Sequence, residues 1–142
     1  MKINKLVIDH EYDFELIGIV SNLKEYKIAW HLNNILSISL SKQADLLIEF
    51  INNSRIQLSI FIHETQNGFI RLIRNKGWKN EKDQIGYLIP ELKRYDYLLL
   101  LQRVEELVTI EQAITTLNTI PQILFVSSIE ITTLKSKENL IF

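Results

Sequence analysis

The 142 residues amount to one ordinary domain, long enough to bury roughly 70% of its unfolded surface without metal or disulfide staples. With 46% hydrophobic and 23% charged residues the chain is not disordered by composition, and sixteen basic against seventeen acidic residues leave no global field to attract nucleic acid or an anionic membrane. The absence of cysteine excludes thiol catalysis, cysteine-ligated zinc and a disulfide framework together.

Lys2 to Asp9 reads as a short strand whose charges break up any signal-peptide core. No uncharged apolar run approaches the roughly 20 residues that span a bilayer, so a cytoplasmic protein without a membrane segment is expected. Phe14 to Val20 is a second strand, rich in β-branched residues, and Ser21 fits the N-cap of a helix predicted over Leu23 to Leu36. At about 100° per residue, Ile28, Ala29, Leu32, Ile35 and Leu36 form one broad apolar stripe, while Leu23, Tyr26 and Trp30 form a separate ridge beside it. One core-facing side does not need both. The ridge is expected either to pack under a loop or the C-terminal end, or to lie at a dimer interface, where Tyr and Trp are enriched.

Leu46 to Ile51 reads as a strand and Asn52-Asn53-Ser54 as a turn. Arg55 to Ile62 alternates cleanly, which predicts one half-buried strand with Ile56, Leu58, Ile60 and Ile62 on the same side. Asn67-Gly68 is the preferred pair for a two-residue type I′ turn leading into Phe69 to Arg74; such a turn would pair Ile62 with Ile73 and Glu64 with Arg71. Asn75 to Ile85 is polar and contains two glycines, as a loop or flap would. Tyr97 to Leu101 is apolar on both parities and predicts a central strand covered on both faces. Thr109-Ile110-Glu111-Gln112 has the capping-box form, followed by Ala113, Ile114 and Leu117 at helical spacing from Ile110, so a second helix ends near Pro121. Ile123 to Val126 is the last strand, and Thr132 to Phe142 forms a tail.

Helices separated by runs of strands indicate an α+β fold: one layer of antiparallel or mixed β-sheet with two helices packed on one face, of which a ferredoxin-like arrangement with an extra hairpin is one form.

Chemistry-bearing signals are sparse. His10, His31 and His63 lie far apart without metal-binding spacing, and no glycine-rich phosphate loop or hydrolase elbow occurs, so neither a metal nor a cofactor is expected. Arg71, Arg74, Lys76, Trp78 and Lys79 interleave cations with an aromatic that could stack on a base, which makes RNA binding the alternative function. Glu81 and Asp83 follow at once, however, so a solvated hairpin end is the favoured reading and nucleic acid is not the expected partner.

The most distinctive stretch is Ile89-Pro90-Glu91-Leu92-Lys93-Arg94-Tyr95-Asp96-Tyr97. Pro90 pushes Ile89 into an extended conformation and can open a short helical turn in which Glu91 meets free N–H groups. Asp96, a poor strand residue ahead of an apolar run, is expected to be structural, whether capping backbone donors or pairing with an arginine; the competing reading is an acid–base couple with Glu91. This stretch resembles the signature of the IPExxxVDY family, small bacterial proteins named for it. Ile89, Pro90, Glu91, Asp96 and Tyr97 match, and Tyr95 stands where the family name has valine. The likeness extends to Leu23 through Ala29 and to Leu134 through Phe142, and so covers essentially the whole chain. It implies a family and carries no substrate, cofactor or partner with it.

The expected function is therefore a non-catalytic module that binds a protein partner or a small ligand and self-associates, most simply as a homodimer. Its candidate interface is Leu23, Tyr26 and Trp30 with the terminal Leu140, Ile141 and Phe142. Three bulky apolar residues at the end are costly to leave in water, so the tail is expected to dock, either in a groove of its own domain beside the Leu23/Tyr26/Trp30 ridge or in a partner's pocket.

Overall fold

The computed structural model describes residues 12–49, 55–77 and 86–142. In chain order its elements are β1 (Glu15–Ser21), α1 (Glu25–Leu36), β2 (Ser41–Lys42), β3 (Leu46–Glu49), β4 (Arg55–Leu58), β5 (Ile60–Glu64), β6 (Phe69–Arg74), β7 (Tyr97–Gln102), α2 (Ile110–Asn118) and β8 (Ile123–Ile129). Short 3₁₀ turns lie at Pro90–Leu92, Ile131–Thr133 and Lys137–Leu140. The strand expected over Lys2 to Asp9 and the turn at Asn52-Asn53-Ser54 lie outside the described residues.

Six strands form one antiparallel sheet in the order β2-β5-β6-β7-β1-β8, and β3 and β4 form a separate hairpin. The α+β class holds. Within the sheet, β6-β7-β1-β8 with α1 and α2 reproduces the strand order of a split β-α-β unit, and β5 and β2 extend its outer edge.

Alternation of side chains divides the interior into two cores. On one face Ile17, Ile19, Leu72, Tyr97, Leu99 and Leu101 meet Ile28, Ala29 and Leu32 of α1 and Ala113 and Leu117 of α2. On the other, Leu16, Ile73, Leu98 and Leu100 meet Ile56 and Leu58 of β4, the segment Leu88–Tyr95 and the C-terminal residues Ile131, Leu134 and Leu140. β7 has both faces covered, which is why its five residues from Tyr97 are all buried. The capping box is present in full: Thr109 Oγ1 accepts from Gln112 N–H, and Gln112 Oε1 accepts from Thr109 N–H.

Five expectations need correction. α1 begins at Glu25 instead of Leu23, with Lys24 as an N-cap that makes no side-chain bond. Ser21 belongs to β1, because the strand runs on to pair Ser21 with Ile123, and its hydroxyl donates to the Gln122 carbonyl and accepts from Leu23 N–H. Ile35, assigned to the buried stripe, is exposed, because the last turn of α1 borders an open groove of about 470 Å³ that it shares with Leu36, Leu107, Glu111 and Thr115. The predicted single strand Arg55 to Ile62 breaks at the buried Ser59, whose carbonyl accepts from Arg74 N–H, so β4 pairs with β3 while β5 joins the main sheet. Its period-two reading survives the break, since Ile56, Leu58, Ile60 and Ile62 all face the second core.

The fifth correction is the hairpin register. Ile62 pairs with Arg71 and Glu64 with Phe69, across a four-residue loop in which Thr65 N–H donates to the Gly68 carbonyl and Gly68 N–H donates to Thr65 Oγ1. Among the described residues only Ser37 and Arg103 have positive φ, so the Asn67-Gly68 pair does not form a type I′ turn. Gly68 is needed for a different reason: a Cβ there would fall 1.8 Å from the Gln102 carbonyl oxygen. Gly68→Ala should therefore force the β5–β6 loop off the end of β7 and lower stability by about 2 kcal/mol in urea unfolding. A loss below about 0.5 kcal/mol would show that the loop can move at no cost.

Candidate functional site

The segment Leu88–Tyr97 gathers more buried polar contacts than any other described stretch, and all of them converge on Asn75, which is fully buried. Asn75 Nδ2 donates to the carbonyls of Leu92 (2.9 Å), Tyr95 (3.2 Å) and Ile89 (3.5 Å), and Oδ1 accepts from Ile89 N–H (2.9 Å). Its main chain adds two more, donating to the Asp96 carbonyl and accepting from Leu88 N–H. One carboxamide thus adds partners on both sides of the 3₁₀ turn, beyond the turn's own bonds from Leu92 N–H to the Ile89 carbonyl and from Lys93 N–H to the Pro90 carbonyl. Asn75 was read from sequence only as the start of a loop; a buried asparagine directly after a strand, facing a proline turn, is the signal that could have marked it.

The motif residues divide by partner. Ile89 is buried beneath the turn that Pro90 opens, as proline at a first helical position allows. Glu91 accepts from Ser136 N–H (2.7 Å) and from Ser136 Oγ (2.9 Å), so it fastens the C-terminal segment. Burial works against its charge, but hydrogen bonds from its own N–H and those of Ser136 and Lys135, with the Ser136 hydroxyl, outweigh that and hold its pKa below the ordinary 4.5. Tyr95 is buried, and Gly18 lies against its ring; a Cβ at Gly18 would come within 2.5 Å of Tyr95 Cδ1. Asp96 Oδ2 accepts from Ser21 N–H (2.9 Å), and Asp96 N–H donates to the Ile19 carbonyl, which closes the top of β1. The Tyr97 hydroxyl donates to the Leu23 carbonyl, and burial, helped by the nearby Glu25, pushes its pKa up to about 12. Glu91 and Asp96 are therefore held by different elements, the C-terminal segment and the end of β1.

The tail does dock on its own domain, on a face other than the one anticipated. Leu140 is buried in the second core, Ile141 packs against it, and Asn139 Nδ2 donates to the Leu88 carbonyl. This places the tail across the sheet from α1, because Glu91, Leu88 and Leu98 all line the second face. Tyr26 and Trp30 consequently stay uncovered, at 55% and 61% exposure, while Leu23 packs at the edge of the helix-side core.

The basic cluster does not form one surface. Arg71 and Arg74 are three apart on β6 and point to opposite faces of the sheet. Arg71 lies over the Phe69 ring at 3.7 Å and the Phe142 ring at 4.9 Å, and burial lowers its pKa against the opposing pull of Glu64. Lys76 pairs across a β-bridge with Tyr87, and Trp78 and Lys79 lie outside the described residues. His63 Nδ1 accepts from the main-chain N–H of Ser39, and no group of three metal-ligating side chains occurs among the described residues. No helix among them is long and apolar enough to cross a membrane.

Asn75→Ala would leave the Ile89 N–H and the Tyr95 carbonyl without the partners they have here and would take one of two donors from the Leu92 carbonyl, and should cost about 3 kcal/mol or more in urea unfolding. A loss under about 1 kcal/mol would mean that the segment stands without it. Glu91 yields a pH prediction. Because its folded pKa lies below 4.5, its contribution to stability is complete above that value and disappears as the pH falls through the folded pKa. Thermal melts taken from neutral into acid conditions should show Glu91→Gln losing less stability than the unsubstituted chain; parallel curves would contradict the link to Ser136.

Comparison of the chain with family models, with curated proteins and with solved structures gives no significant match, so the geometry of these residues is what a functional reading has to stand on.

Proposed function

We propose that this chain is a non-catalytic, cytoplasmic binding module of the IPExxxVDY type, a homodimer that takes a protein partner on the exposed face of α1. The observation that carries the reading is the pair Tyr26 and Trp30, four residues apart on one helix face and both more than half exposed. Large aromatics of this kind are enriched at protein interfaces, where they bring contact area at low entropic cost. The motif supports a non-catalytic role from the other side: each of its polar groups already has a structural partner, and Glu91 and Asp96 do not share one. The cysteine-free composition accords with a reducing compartment.

The test is a pull-down from cell lysate with the full chain as bait, set beside the variant Tyr26→Ser/Trp30→Ser. Both side chains are exposed, so the variant should melt within a few degrees of the parent while losing a stoichiometric protein partner. Capture of the same proteins by both chains would overturn the assignment of this face.

A further inference from the structure

The turn between β7 and α2 holds a leucine in solvent by its backbone. Leu107 N–H and Val108 N–H both donate to the Val104 carbonyl, at 2.8 and 2.9 Å, and while Val104 and Val108 are buried, Leu107 in the same turn is 45% exposed. Across the groove of about 470 Å³ between the helices, Ile35 is 52% exposed at the end of α1, and Leu36 lies beside it. The other wall is the first two turns of α2, with Glu111 in the opening turn. A second depression, of about 310 Å³, holds Glu105 and Glu106 and meets the first at Leu107. Arg103, the cation that lines it, pairs with Asp13 at 3.1 Å. The carboxylates reinforce one another: burial, and then the charges of Glu111 and Glu105, hold the Glu15 carboxyl at the head of β1 above its ordinary 4.5. In a chain whose formal charge is −1, this end carries a local negative field around an apolar strip.

We propose that the groove between α1 and α2 receives a basic amphipathic segment of another protein, with its apolar stripe on Ile35, Leu36 and Leu107 and its lysines or arginines against Glu105, Glu106 and Glu111. Charge complementarity selects this occupant. Nucleic acid and acidic peptides would be repelled by the same carboxylates, and a purely apolar segment would desolvate them without supplying a partner. An open groove, with Ile35 and Leu107 about half in solvent, has the shape that takes the apolar face of a helix, whereas a small molecule needs to be largely enclosed. Glu111 also has a structural reason to stand where it does, since an acid in the first turn of α2 meets free N–H groups; Glu105 and Glu106 precede the helix and lack that reason. The surface is separate from Tyr26 and Trp30. Ile35 lies five residues beyond Trp30, about 140° around α1 at roughly 100° per residue, so the inference goes beyond the contact proposed above and gives the same helix a second protein-binding flank.

The probe is a dye-labelled synthetic amphipathic helix of leucine and lysine, with a leucine–glutamate helix of the same pattern as its control. In fluorescence anisotropy the full chain should bind the leucine–lysine helix saturably, and the leucine–glutamate helix at least about tenfold more weakly. Ile35→Ser/Leu107→Ser removes the apolar strip, and Glu105→Gln/Glu106→Gln removes charge while keeping shape; all four side chains are exposed, so both variants should melt within a few degrees of the parent. Each should raise the Kd for the leucine–lysine helix by about tenfold or more, and the glutamine pair should also flatten its dependence on salt. Tyr26→Ser/Trp30→Ser should bind the probe as the parent does. The proposal is overturned if the leucine–lysine helix does not bind, if it binds either groove variant like the parent, or if the Tyr26/Trp30 variant is the one that loses it. The pull-down described above reads the other flank, so either surface can fail without the other.

Discussion

A single buried carboxamide sets the geometry on which the second half of the molecule depends. Asn75 follows β6 directly and sits with no solvent exposure against a segment, Leu88–Tyr95, that has almost no regular secondary structure. Such a segment cannot be buried unless its main-chain groups find partners, since each unsatisfied buried group costs about 1–3 kcal/mol. Asn75 supplies both donor and acceptor, and glutamine or aspartate could not offer the same set at the same reach. Its main-chain bond to Asp96 then fixes where β7 begins, so the register of the central strand is tied to the same residue.

With that segment in place, the sheet can be covered on both faces by a chain that has only two helices. α1 and α2 close one face; the other is closed by the proline turn, the β3–β4 hairpin and the C-terminal 3₁₀ turns. These pieces are short, and polar pins hold them together: Glu91 to Ser136, Asn139 to Leu88 and Asp96 to Ser21. The apolar burial of Leu134 and Leu140 gives the tail its affinity, and the Glu91 carboxylate sets its position. A motif that looks chemical in sequence, two acids flanking a proline turn and a tyrosine, thus does architectural work.

Much of the fold was legible because it rests on local rules. The Thr109 capping box, the doubly buried leucines of β7 and the one-sided alternation from Ile56 to Ile62 depend on neighbours in sequence, and each appears as read. What failed depends on partners far along the chain. The Asn67-Gly68 pair signals a tight turn, but the approach of the Gln102 carbonyl decides the loop. Ser21 has the composition of a cap, but Ile123 draws it into a strand. The tail was rightly expected to dock, yet no local pattern distinguishes two apolar grooves on opposite faces of one sheet; that choice belongs to Glu91 and Leu88.

The same distinction applies to the candidate surfaces. A cluster read along one strand, such as Arg71 with Arg74, ignores the alternation that sends residues three apart to opposite sides, and Phe69 and Phe142 already cover the first of them. A pair read along a helix, such as Tyr26 with Trp30, keeps its shared direction because a four-residue step returns to the same face. The docking of the tail on the opposite side then turns this pair from a second core ridge into surface. Since Glu91, Asp96 and Tyr97 are held by structural partners, the apolar area that Tyr26 and Trp30 expose on α1 is the surface on which the proposed reading rests.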